Sequence, residues 1–174
     1  LHSMEGIFPT VTKYGMAALL PHKELTVAER TNGDLSVLAD GQSTDANNRD
    51  KVLKAANANS VALQYKNLIG MKRAERSALV KGMDVVYIYH DKVDEASHTS
   101  DRAVFPACDD AIAEIKNMVR IIVNEFSGTQ IYITADHGFL YTYSPLSEDS
   151  KVDKTTPSEH DVEIDRRYLI THKG

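Results

Sequence analysis

The chain has 174 residues, enough for one domain with a real core, and its 42% apolar content predicts a globular fold in water. No run of about 18 apolar residues occurs, which excludes a membrane-spanning helix. The balance of 20 basic against 25 acidic residues, a formal charge of −5, argues against a general electrostatic grip on nucleic acid and leaves room only for a local basic groove.

The single cysteine, Cys108, excludes an intramolecular disulfide and fits a reducing cytoplasm; at the start of a helix its default role is packing. The opening Leu1-His2-Ser3-Met4-Glu5-Gly6-Ile7 has neither a basic region nor an apolar core and is no signal peptide. At the other end, Thr171-His172-Lys173-Gly174 runs off strand-like sequence, so the expectation is an excised piece of a longer protein. No internal repeat or low-complexity segment is visible.

In chain order, residues 7–21 predict an extended lead-in and a short helix. Pro9 keeps Phe8 out of the helical region, and the helix formers Met16, Ala17, Ala18, Leu19 and Leu20 stop before Pro21. Thr12 is the natural N-cap, with Thr10 as an earlier alternative, and a hydroxyl there faces free helix N–H groups that favour an anionic phosphate. An Asn32-Gly33-Asp34 turn precedes one strand, Leu35-Ser36-Val37-Leu38-Ala39. Residues 41–50 read as a polar surface excursion, and 52–65 mix helical and strand signals. Residues 72–81 predict a helix with Arg73, Arg76 and Lys81 solvated.

Asp84-Val85-Val86-Tyr87-Ile88-Tyr89-His90 predicts a buried strand, running into the polar His90-Asp91-Lys92-Val93-Asp94-Glu95-Ala96-Ser97-His98. Apolar residues at 111, 112, 115, 118, 119, 122 and 123 mark one face of a long helix over 107–126, ended by Ser127-Gly128-Thr129. Ile131-Tyr132-Ile133-Thr134-Ala135-Asp136-His137-Gly138 predicts a central strand delivering an acid and an imidazole to the rim of a sheet. Gly138 would allow a sharp turn or a close backbone approach to a bound ion or phosphate. Strand, long helix and strand predict a right-handed crossover that makes the two strands parallel and brings both carboxyl ends to one edge. The stretch 144–159 reads as a lid-like loop, and 162–170 as a final strand near a sheet edge.

Asp94 and His98, four residues apart, could ligate one ion, and Asp136 with His137 another, although each pair alone is as readily solvated or capping. Two such pairs with a hydroxyl at a helix start make chemical sense as a two-metal phosphoryl-transfer site. Ions about 4 Å apart hold the nucleophile on one side and the phosphoryl oxygens on the other. Mixed oxygen and nitrogen ligands suit zinc, with manganese as the alternative. Lys13 is placed to meet a phosphate oxygen, and His22 and His90 either orient a ligand or pack.

Three stretches together resemble the PglZ domain of the alkaline phosphatase superfamily, found in bacterial BREX phage-defence systems. They are Phe8-Pro9-Thr10-Val11-Thr12-Lys13-Tyr14-Gly15-Met16-Ala17-Ala18-Leu19-Leu20-Pro21, Tyr89-His90-Asp91-Lys92-Val93-Asp94-Glu95-Ala96-Ser97-His98 and Thr134-Ala135-Asp136-His137-Gly138-Phe139, joined by Glu163-Ile164-Asp165-Arg166-Arg167-Tyr168. The resemblance implies an α/β fold with a largely parallel central sheet flanked by helices, present here over 1–174 as an incomplete domain. It places the nucleophile on Thr12, with Thr10 as the alternative, and assigns Asp94 and His98 to one metal and Asp136 and His137 to the other.

Two departures stand out. The superfamily's aspartate before the nucleophile segment has no counterpart in the chain, and His160 and His172 do not match its further histidine. The function implied is a zinc- or manganese-dependent phosphatase or phosphodiesterase of a cytoplasmic phage-defence protein, forming a phosphothreonine intermediate. Its partners would be other components of the defence complex and a phosphate ester or nucleic-acid substrate, with no membrane. A piece lacking flanking ligands is expected to bind metal weakly. The rival expectation is a catalytically silent scaffold that keeps the fold and contacts other components of that complex.

Overall fold

Two tight turns fold residues 25–43 back on themselves twice. Gly33, at φ +85°, closes the loop that joins β1 (Leu25–Glu29) to β2 (Leu35–Ala39), and Asp40 and Gly41, both at positive φ, make the two-residue turn into β3 (Gln42–Ser43). The three strands are antiparallel in the order β1-β2-β3, with Leu25 opposite Ala39 and Ala39 opposite Gln42. The central strand β2 buries Leu35, Val37 and Ala39. β1, which the sequence did not reveal, is an edge strand with Val27 exposed, so its apolar alternation is broken.

The computed structural model describes residues 5–97, 103–138, 144, 147, 149, 161–165 and 168–171. It divides into two compact units, one made of Leu1–Val52 with Thr134–Gly174 and the other of Leu53–Ile133. In the first unit, helix α1 (Thr12–Ala18) lays Tyr14 and Ala17 against Val37, and Ile7, Val11, Leu25, Tyr168 and Ile170 pack around them. The N-cap of α1 is Val11, in extended conformation, and no side chain caps the helix. Thr12 is therefore the first helical residue rather than the cap expected for it, which leaves its hydroxyl for another partner.

The predicted final strand is a hairpin instead. What the sequence presents as one run over 162–170 forms β6 (Asp161–Ile164) and β7 (Leu169–Thr171), antiparallel. Asp165, a poor strand former, turns the chain by donating its backbone N–H to the Tyr168 carbonyl at 3.0 Å.

The second unit holds a parallel pair, β4 (Ser60–Gln64) beside β5 (Val85–Tyr89), with Ser60 opposite Val85 and Gln64 opposite Tyr89. Helix α2 (Arg49–Ala56) leads into β4, and α3 (Tyr65–Ile69) and α4 (Arg73–Val80) connect β4 to β5. After β5 come α5 (Lys92–Ser97) and α6 (Val104–Glu125). Leu68, Met118 and Ile121 form a buried cluster with Leu63, Ile88, Ile122 and Phe126 around it. The buried residues of α6, Val104, Ala107, Ala111, Met118 and Ile121, recur at helical spacing, but of the face expected at 111, 112, 115, 118, 119, 122 and 123 only Ala111 and Met118 are buried, and Ile112 and Val123 are 57% and 54% exposed. Arg76 holds α4 to the end of α6 through a bidentate pair with Glu125, both bonds 3.0 Å.

The fold is mixed α/β, with helices and small sheets, one of them parallel. One expected element is absent: residues 131–135 form no strand among the described residues, and Tyr132 and Ile133 are 82% and 65% exposed. The parallel partner of β5 is β4, which precedes it. Apolar content alone does not make a strand; the backbone also needs a ladder to join. The lid-like loop at 144–159 falls almost entirely outside the described residues.

Candidate functional site

Thr12 opens α1 with its side chain exposed, and its Oγ1 lies 3.0 Å from Nε2 of His137. The imidazole is fixed by its other nitrogen, since Nδ1 sits 2.9 Å from the carbonyl oxygen of Gly138. A carbonyl only accepts, so Nδ1 carries the ring proton, and in the neutral ring Nε2 is a bare acceptor. The Thr12 hydroxyl therefore donates to Nε2. Oδ2 of Asp136 stands 3.5 Å from the same nitrogen, so a hydroxyl, an imidazole and a carboxylate meet at one point of the first unit. Residues 12 and 137 are brought there from 125 positions apart.

Gly15 makes the meeting possible. A Cβ on it would lie 2.2 Å from the Asp136 carbonyl oxygen and 2.8 Å from its carbonyl carbon, so only glycine lets α1 come this close. Gly138 has open space where a Cβ would stand.

On the other side of α1 a second cluster forms. Lys13 Nζ and the Tyr168 hydroxyl each donate to Glu163 at 2.5 Å, to Oε2 and Oε1, and the Tyr14 hydroxyl approaches Oε1 at 3.5 Å. The Tyr14 and Tyr168 rings meet edge to face, centroids 6.3 Å apart. Burial works against the Glu163 charge, but the Lys13 and Tyr168 hydrogen bonds outweigh it and hold the carboxyl below its ordinary range. Burial and then the Glu163 charge push the Tyr14 phenol up to about 12, and burial and the Glu163 hydrogen bond raise Tyr168 as well. Lys13 is thus engaged by Glu163, not poised for a phosphate as the sequence suggests. The partnership was hidden because 150 residues separate the two; the only hint was a basic residue in a first turn that has no acid of its own. A shallow depression of about 280 Å³, lined by residues 8–11 and 168–170, opens beside the start of α1.

Asp94 lies exposed in the first turn of α5, in the second unit, and His98 lies outside the described residues. Beside Asp94 in sequence, His90 Nε2 pairs with Glu114 at 2.7 Å and Lys92 with the same carboxylate at 3.1 Å. The His90 hydrogen bond and then Lys92 lower the Glu114 pKa against the effect of burial. His90 is therefore oriented by a carboxylate, and the Tyr65 ring meets it edge-on at 4.8 Å. His22 turns its Nδ1 to the Leu20 carbonyl at 2.6 Å and serves the chain's exit from α1. His160 and His172 lie outside the described residues.

Among the described residues no group of three or more His, Cys, Asp or Glu is close enough to hold a metal ion. Asp136, His137 and the Thr12 hydroxyl nevertheless offer one nitrogen and two kinds of oxygen donor around a common point, a set that suits a divalent zinc or manganese ion. The Nδ1–H bond to a carbonyl is how an imidazole is held when its Nε2 serves a metal.

The family model described as the BREX system PglZ alkaline phosphatase-like domain matches residues 1–174. Among curated proteins, the alkaline phosphatase-like protein BrxZ of Escherichia coli O9:H4 (strain HS) is 38% identical over 176 residues, covering 99% of this chain and 20% of that protein. The alkaline phosphatase-like protein PglZ of Bacillus cereus (strain H3081.97) is 35% identical over 174 residues, again 99% of this chain and 20% of the relative. The chain spans about a fifth of the length of these relatives. No solved structure matches.

Proposed function

The chain belongs to the family of BREX system PglZ alkaline phosphatase-like domains, and from that premise we propose that Thr12 is the nucleophile of a metal-dependent phosphatase or phosphodiesterase in a longer phage-defence protein. The observation that carries the reading is the 3.0 Å contact between Thr12 Oγ1 and His137 Nε2, with Asp136 alongside. A hydroxyl at an exposed helix start, freed from capping and within hydrogen-bond reach of a fixed imidazole nitrogen that could ligate an ion, is arranged to share that ion as a nucleophile.

In the proposed reaction Thr12 Oγ1 forms a bond to phosphorus as the bond to the leaving alcohol breaks. The hydroxyl proton, made more acidic by the ion beside it, would pass to solvent, and the leaving oxygen would take a proton from water. Water then cleaves the phosphothreonine, restoring the hydroxyl and releasing phosphate from a monoester or a phosphomonoester from a diester. Asp136 and His137 would hold one divalent ion, and Asp94 with His98 the second. Such ions lower the pKa of the threonine hydroxyl and stabilise charge on the phosphoryl oxygens. Other components of the defence complex are the proposed partners, and the substrate is a phosphate ester, with a nucleic-acid backbone within the same chemistry. A cytoplasmic location is part of the same proposal, and no described helix is long and apolar enough to cross a membrane.

The test is a zinc- or manganese-supplemented assay of the full-length parent with a chromogenic phosphodiester. Thr12→Ala and Asp136→Ala are each expected to lower kcat by about a hundredfold or more, since each removes a group that acts in the transition state. Wild-type turnover in both variants would refute the mechanism and favour the silent scaffold.

A further inference from the structure

We propose that Glu163 is a positioning residue for the Thr12 hydroxyl, its carboxylate anchoring the first turn of α1 through Lys13 and Tyr14 and tying that turn to β7 through Tyr168. The inference rests on the reading of Thr12 as nucleophile.

The need for an anchor comes from α1 itself. A helix of seven residues is marginal on its own, and this one has no side-chain cap and no acid in its first turn. Lys13 places a positive charge at the helix end whose backbone dipole is already positive. Glu163 supplies the missing negative charge from another part of the chain. Its two oxygens are divided, Oε2 to Lys13 and Oε1 to Tyr168 and Tyr14, so one carboxylate fixes three side chains. The Lys13–Glu163 pair is largely shielded, with the glutamate side chain 19% exposed, where a charge-assisted bond keeps more of its strength than in open water.

The direction of the grip matters as much. Residues three apart share a helix face and successive residues turn by about 100°. Thr12 and Gly15 therefore face the Asp136-His137 segment together, while Lys13 and Tyr14 point away toward Glu163. The helix is held from two sides. Its backbone meets Asp136 with no room to spare, and Glu163 resists a roll or slide that would carry the hydroxyl off the imidazole.

The experiment uses the chelator-treated full-length parent with threonine methyl groups labelled. Wild-type protein should show a nuclear Overhauser cross-peak between the Thr12 methyl group and the His137 ring, and Glu163→Gln should lose it. Lys13→Arg, which preserves the ion pair, should keep it. In the metal-supplemented diester assay, Glu163→Gln should lower kcat by about tenfold to a hundredfold, the worth of a lost charge-assisted hydrogen bond, with KM within about twofold. Lys13→Met should lose part of what Glu163→Gln loses, and the double variant should be no worse than Glu163→Gln alone, because the lysine acts through that carboxylate.

Should Glu163→Gln fail to fold, Tyr168→Phe removes one hydroxyl from the same carboxylate and should weaken the cross-peak. A cross-peak that survives Glu163→Gln, or kcat losses that multiply in the double variant, would overturn the proposal even in an active enzyme. A cross-peak present in wild type and lost in the variant, from a parent with no hydrolase activity, would uphold the positioning and reject the catalytic reading.

Discussion

At Gly15 a single hydrogen atom stands where a methyl group would collide with the Asp136 backbone. Gly15→Ala is expected to lower stability by about 1–3 kcal/mol, as overpacking against backbone does, and to abolish the Thr12–His137 contact; urea denaturation and the methyl cross-peak measure the two effects. Gly138→Ala, with open space around it, should change stability by less than about 0.5 kcal/mol. The close approach at Gly15 had no signal in the sequence, because closeness is a property of the partner, which lies far along the chain. The sequence did single out Thr12, Asp136 and His137, which the structure brings close together, because their residue types are local information. Glu163 carries a pH prediction. Its folded-state pKa is below the ordinary value, so its contribution is complete above that range, near about 4.3, and is lost as pH falls through the lower folded value. The urea midpoint of wild type should therefore exceed that of Glu163→Gln at neutral pH and converge on it in acid.

Some elements were legible: α4 as a helix, α6 from its apolar spacing although the buried face is turned from the one expected, and β5 from Val-Val-Tyr-Ile-Tyr. Elements defined by a partner were not. β1 shows its meaning only opposite β2, and β4 only beside β5, whereas residues 131–135 have the right composition and, among the described residues, no ladder. Helix ends are a further case. α6 stops with Ser127 at φ +56° and the Gly128 N–H donated to the Ile122 carbonyl at 3.0 Å, a left-handed C-terminal turn. Serine is strained at that φ and glycine is not, so Ser127→Gly should raise stability by about 0.5–1 kcal/mol, measured as a shift in the urea midpoint at unchanged slope.

At the scale of the whole molecule, one unit is continuous in sequence and the other is built from both ends of it. No composition or motif announces that arrangement; it follows from contacts such as Lys13 with Glu163, 150 positions apart, which sequence reading cannot pair. The arrangement also sets an order of events on the ribosome. As the nascent chain emerges, Thr12 is exposed early, and the 53–133 stretch, with a core of its own, is complete before residue 137 has been added. Thr12 is therefore made 125 residues ahead of the imidazole it meets, and the contact waits for the segment that carries His137.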